Sequence, residues 1–218
     1  MKPVMRWGGL AGIGGSLLFI AVFALVIGIT GPDPAGLAGP IARFPEIQHL
    51  RTVENGLYLA VMIAWIPLHL ALHQALKADR PATALFGCAI SVVGAGILAA
   101  GALPHIVTSR LSELYHANEA DRDALIVAWQ TTQGLFDALL LAGLLTMSFG
   151  IALLGAGMTA AMGKVIGGVS VALGLCGLGA GIAMLIDPQS VAAALGVFAL
   201  IAFHFMAGVK VMRLRRTR

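Results

Sequence analysis

The chain has 218 residues, of which 59% are hydrophobic and 11% charged, with a formal net charge of +4. Soluble domains carry roughly 25% charged residues, so this chain lacks the polar surface to cover itself in water, and an ordinary soluble enzyme is excluded. The charges are segregated, leaving uncharged runs of about twenty residues, the length that crosses a hydrocarbon core of roughly 30 Å.

The first apolar run covers about 7–30, behind the short basic segment Met1 to Arg6. Its length exceeds the roughly 7–15 residues of a signal-peptide core. A retained helix is therefore expected over a cleaved leader, although Ala35-Gly36-Leu37-Ala38 offers a processing site. From Ile41 to Val53 the apolar residues Ile41, Phe44, Ile47, Leu50 and Val53 recur every three positions, which predicts a short amphipathic helix on the outer surface. A second span, about 54–76, ends at Lys77-Ala78-Asp79-Arg80, and Pro81 opens a third, about 82–103. So short a connection makes an antiparallel hairpin.

Residues 106–122 place Leu111, Leu114 and Tyr115 in a second helical pattern, and the two outer segments together predict a cap over the bundle mouth. The pattern from Asn118 to Leu154 is longer than a bilayer requires. Its start, with Glu119, Asp121, Arg122 and Asp123, belongs in water, so the crossing is placed at about 130–155. A fifth span, about 164–186, is followed by Asp187-Pro188 and a sixth, about 189–209, before a basic tail. These elements predict an all-α, six-helix transmembrane bundle forming one domain over 1–218.

Of the fourteen Lys and Arg residues, ten fall on the side of the termini and four opposite. That bias predicts both termini in the cytoplasm and a multi-pass protein of the cytoplasmic membrane. It also accounts for the basic balance without nucleic acid as a partner; the expected partner is the lipid bilayer. Trp7, Tyr58 and Trp129 are expected near the interfaces. Gly8-x3-Gly12, Gly163-x3-Gly167 and Gly177-x3-Gly181 are small-residue faces. They are read as packing seams within the bundle, with a homodimer or membrane-protein partner as the alternative. Cys88 and Cys176 lie in apolar runs at different depths and are expected to be small core residues. Asn55-Gly-Leu-Tyr-Leu-Ala60 echoes Gln133-Gly-Leu-Phe-Asp-Ala138, a faint parallel repeat.

Ionisable residues inside a membrane are functional candidates because burying them costs a few kcal/mol. Asp137 is the clearest, and it shares a helix face with Gln130 and Gln133. Glu54, Asn55 and His105 are its expected neighbours from adjoining helix ends, with His49 and His116 on the capping segments. Asp137, Gln133, Gln130 and Glu54 form a ligand or proton site candidate; His49, His105 and His116 form an outer metal candidate. The plainer reading bonds Asp137 to glutamine or backbone and leaves the loop histidines in water. A second set, His69-x3-His73 with His204, falls at matching depths on the second and sixth helices. It predicts an inner site for a metal ion or haem b, unless each imidazole only satisfies a backbone or hydroxyl group. Pro67 is expected to free the Ile63 carbonyl from its helix bond. The chain contains no phosphate-binding Gly-x4-Gly-Lys-Ser/Thr loop, His-Glu-x2-His, Cys-x2-Cys or Gly-x-Ser-x-Gly.

The Gly-rich first helix from Gly8 to Gly15, Arg43 in the first outer loop, the polar segment His105 to Arg122 and Lys164-Val-Ile-Gly167 span nearly the whole chain. In this layout it resembles a bacterial multi-pass family, domain of unknown function 4386. The resemblance implies a multi-pass topology and no established activity, so it assigns no residue a role. The residues favour a protein that binds a small apolar molecule or lipid, or an accessory subunit of a membrane complex. An intramembrane metal- or haem-dependent enzyme is the alternative, and a small carrier using Asp137 the second.

Overall fold

In hydrocarbon every backbone N–H and C=O must be bonded within its own segment, which makes helices of the apolar runs. The computed structural model describes residues 2–31, 34–117, 121–187 and 190–217; Met1, Asn118, Glu119 and Pro188 lie outside these, as does the side chain of His105. The elements in order are α1 (Lys2–Leu25) with a terminal π turn (Val26–Thr30), α2 (Gly39–Leu76), α3 (Pro81–Ala100), α4 (Pro104–Ala117), α5 (Arg122–Ala161), α6 (Lys164–Ile186) and α7 (Ala192–Thr217). All except α4 are long and apolar enough to cross a membrane. The protein is an all-α, multi-pass membrane bundle, and its six spans return both ends of the chain to one side.

The six spans close into a ring in the order α1, α2, α3, α5, α6, α7, with α7 packed back on α1; α4 lies across α2 and α5 at one end. We call this the capped end and the other the tail end. Outward faces keep large apolar side chains, among them Val165, Ile186 and Val191 at 79%, 82% and 86% exposure. Such a surface suits lipid, since soluble proteins rarely expose contiguous apolar patches of this extent. The interior is filled by Trp65, Leu68, Leu72, Leu144, Met147 and Phe203.

The outer segment Ile41–Val53 is not a separate surface helix: it forms the first turns of α2, which runs unbroken for 38 residues. Pro45 lies inside α2 and has no N–H to give the Ile41 carbonyl four residues back. The Ser112 hydroxyl on α4 donates to that carbonyl instead, at 3.0 Å and buried. The missing helix bond thus becomes an attachment point for α4. Around it Ile41, Phe44, Leu125 and Trp129 form a small core of their own, joined by Leu111, Leu114 and Tyr115. The cap is therefore built from the starts of α2 and α5 together with α4.

The glycine seams lie inside the bundle. A Cβ on Gly8, Gly12 or Gly15 would fall closer than 3.0 Å to α2, and one on Gly174, Gly177 or Gly181 equally close to α5. Gly163 departs from the expectation. With φ 114° it is the N-cap of α6, in the turn after α5, with no neighbour within 4 Å; its role is the turn. Of the three aromatics expected near the interfaces, Tyr58 and Trp129 are packed among neighbouring side chains at 8% and 5% exposure, and Trp7 faces outward at 65%. Cys88 is buried, but Cys176 is exposed on α6 rather than in the core; both are free thiols.

Candidate functional site

At the capped end α2 and α5 enclose a cavity of about 470 Å³. One wall is the loop after α1, with Gly36 and Leu37; the others are Pro40, Phe44, Ile47, Arg51 and Glu54 of α2, and Trp129, Gln130, Gln133, Gly134, Phe136 and Asp137 of α5. Asp121 starts α5 by accepting a hydrogen bond from the Asp123 N–H at 3.0 Å. The side chains then repeat at helical spacing, so Gln130, Gln133, Gly134 and Asp137 all reach the cavity. Phe44 meets Trp129 edge to face with centroids 5.1 Å apart. Behind Phe136 stands buried Tyr58, with centroids 6.5 Å apart and a hydroxyl that has no hydrogen-bond partner among the described residues.

Depth follows from the helix rise. Asp137 precedes the last residue of α5, Ala161, by about 36 Å, and Glu54 precedes Leu76 by about 33 Å. A hydrocarbon core of roughly 30 Å then ends near these two residues.

The polar wall is divided. Arg51 donates to the Glu54 carboxylate at 2.9 Å, an ion pair of largely shielded side chains. Asp137, Gln130 and Gln133 are accessible and have no hydrogen-bond or ion-pair partner among the described residues. The structure thus brings together Glu54, Gln130, Gln133 and Asp137. Asn55 does not join them: one residue on from Glu54, it turns to a different groove with Thr52, Leu59 and Ser109. His49 on α2 and His116 on α4 are exposed and outside the cavity lining. The Nδ1 of His116 lies 2.8 Å from the Ser112 carbonyl, to which it donates. Among the described residues no group of three or more His, Cys, Asp or Glu is placed to hold a metal ion.

The inner histidine set resolves into a pair. His69 and His204 are fully buried, and their Nε2 atoms are 3.1 Å apart. His204 Nδ1 lies 2.6 Å from the Leu200 carbonyl, which can only accept. His204 therefore donates from Nδ1 and accepts at Nε2, and His69 donates from Nε2. The pattern is complete with one proton on each ring, and it leaves His69 Nδ1 without a partner among the described residues. Trp65 stacks on His204, centroids 3.8 Å apart and planes 9° from parallel. His73 is half-buried, and its Nδ1 is also unpartnered.

This arrangement does not fit the haem b expectation for His69 and His204, and among the described residues His73 does not join them in a group of three that could hold a metal ion. A haem iron with one imidazole on each face, each bond about 2.0 Å, sets the two nitrogens roughly 4 Å apart. Here they meet at direct hydrogen-bond distance, so a macrocycle would have to part α2 from α7. The pair instead joins these helices across the core.

Sequence reasoning missed the aromatic side of the cavity and Arg51. Phe44, Trp129 and Phe136 read as cap or span residues when each helix is taken alone. Their convergence depends on α2 and α5 meeting at the capped end. Trp65 had a visible signal, since it precedes His69 by one turn on the same face. Comparison with protein-family models, curated proteins and solved structures finds no match for this chain.

Proposed function

We propose that this multi-pass membrane protein binds a small amphiphilic molecule in the cavity between α2 and α5. The observation that carries the reading is the cavity's two-sided lining, aromatic and aliphatic on one side and unpartnered amides and a carboxylate on the other. Its volume lies within the roughly 300–1,000 Å³ of small-molecule sites, which are mostly apolar with a few converging polar groups. Its level at the membrane boundary suits a molecule with an apolar body and a polar end. The distribution of basic residues supports placing both termini in the cytoplasm and the capped end on the far side. The resemblance to domain of unknown function 4386 remains a proposal of kinship and adds no role to any residue.

Gly134 provides the test, because it lines the cavity and a Cβ there meets nothing within 4 Å. Gly134→Leu should fill the cavity while leaving the helix intact. In nanodiscs of zwitterionic lipid, calorimetric titration with neopentylbenzene should show one saturable site in the native protein and none in Gly134→Leu. Equal heats from both proteins and from empty nanodiscs would sink the reading.

A further inference from the structure

We infer that the occupant of this cavity carries a positive charge, an ammonium group on an apolar body, with Asp137 as its counter-ion. This rests on the amphiphile reading above and specifies its chemistry. Among the described residues three charged side chains line the cavity, and their pairing decides the sign. Arg51 and Glu54 neutralise one another at 2.9 Å, with side chains 21% and 17% exposed. Asp137 is left as the carboxylate without a partner among the described residues. Among the described residues the cavity thus holds one uncompensated negative group, beside two glutamines whose side-chain oxygens can also accept.

The aromatic lining points the same way independently. Phe44, Trp129 and Phe136 border the volume that Asp137 faces, and aromatic faces attract ammonium groups, tryptophan most strongly. An aromatic wall combined with a single acid is the chemistry that recognises alkylated ammonium ions. An anionic ligand would meet Asp137 unopposed and find Arg51 already engaged. A neutral one would leave the carboxylate partly desolvated and unpaired, which is costly near hydrocarbon. The ammonium group has two possible sources, a lipid headgroup or a soluble organic cation, and they share this chemistry.

The experiment compares isosteres. Benzyltrimethylammonium and neopentylbenzene have nearly the same shape and differ by one charge. Each is titrated into the native protein and the Asp137→Asn and Gly134→Leu variants, in nanodiscs of zwitterionic lipid. The native protein should bind the cation about tenfold more tightly than the neutral isostere, and Asp137→Asn should bring the two within about twofold. Gly134→Leu should bind neither. Equal affinity for the two probes in the native protein overturns the charge inference and leaves the amphiphile reading standing. A preference for the cation that persists in Asp137→Asn also overturns it, because the selectivity then lies elsewhere. Absence of binding by either probe overturns both proposals. Dodecylphosphocholine, titrated below its micellar concentration, separates the sources. Displacement of benzyltrimethylammonium from the native protein identifies a lipid headgroup as an occupant. Failure to displace it restricts the cation to a soluble one.

Discussion

Pro45 and Ser112 show how one residue's chemistry fixes the position of another element. The proline removes an N–H from α2, and the serine on α4 supplies the hydrogen bond that the Ile41 carbonyl lost. Leaving a buried carbonyl unsatisfied costs about 1–3 kcal/mol. Ser112→Ala should lower the unfolding free energy by that amount in detergent. In a Pro45→Ala background α2 can bond Ile41 itself, and the same serine change should then cost under about 0.5 kcal/mol. Equal losses in both backgrounds would show that the hydroxyl does something other than replace the helix bond. Sequence alone reveals the proline and the carbonyl it frees, but not the donor, which lies 71 residues away. The same limit applies to His69. Counting residues put it level with His204, yet the i, i+4 spacing drew attention to His73, which has no hydrogen bond to either. Spacing along one helix reports a shared face; only packing decides what that face meets.

At the level of helices, the seams follow a simple rule: a glycine on one helix receives the backbone or a side chain of the next. On α6 an added Cβ at Gly174 would sit 2.6 Å from the Ala152 backbone nitrogen of α5, while Gly168 has nothing within 4 Å. Gly174→Leu should therefore destabilise the bundle by about 3 kcal/mol, and Gly168→Leu should stay within about 0.5 kcal/mol of the parent. Thermal unfolding monitored by circular dichroism separates the two, and a similar loss from both would refute the seam. Spacing identified Gly177 and Gly181 correctly but misread Gly163, because a turn glycine and a seam glycine leave the same mark in a sequence. Helix limits were more legible. Charges and prolines at the turns bound α3 and α6 well, whereas α2 ran through Pro45 because a partner outside the helix compensated it.

For the whole molecule, composition was sufficient to indicate six apolar helices, since no soluble packing accommodates so few charges. Their ring order was not legible, because every outward face is equally apolar and periodicity cannot name a neighbour. Orientation remains a question for chemistry. With Cys88 and Cys176 replaced by alanine, single cysteines at Arg110 on α4 and at Lys77 between α2 and α3 should label oppositely in intact cells. A membrane-impermeant maleimide should reach the first and miss the second until the membrane is opened. The reverse pattern would overturn the proposed orientation.

The length of α5 has a mechanical side. It runs 40 residues, about 60 Å, without an internal proline, from the cap core at Leu125 past the cavity at Asp137 to the tail-end turn at Gly163. One helix thus carries both the wall of the cavity and, at Gly150 and Leu154, the seam with α3, so the cap and the bundle share a single structural member.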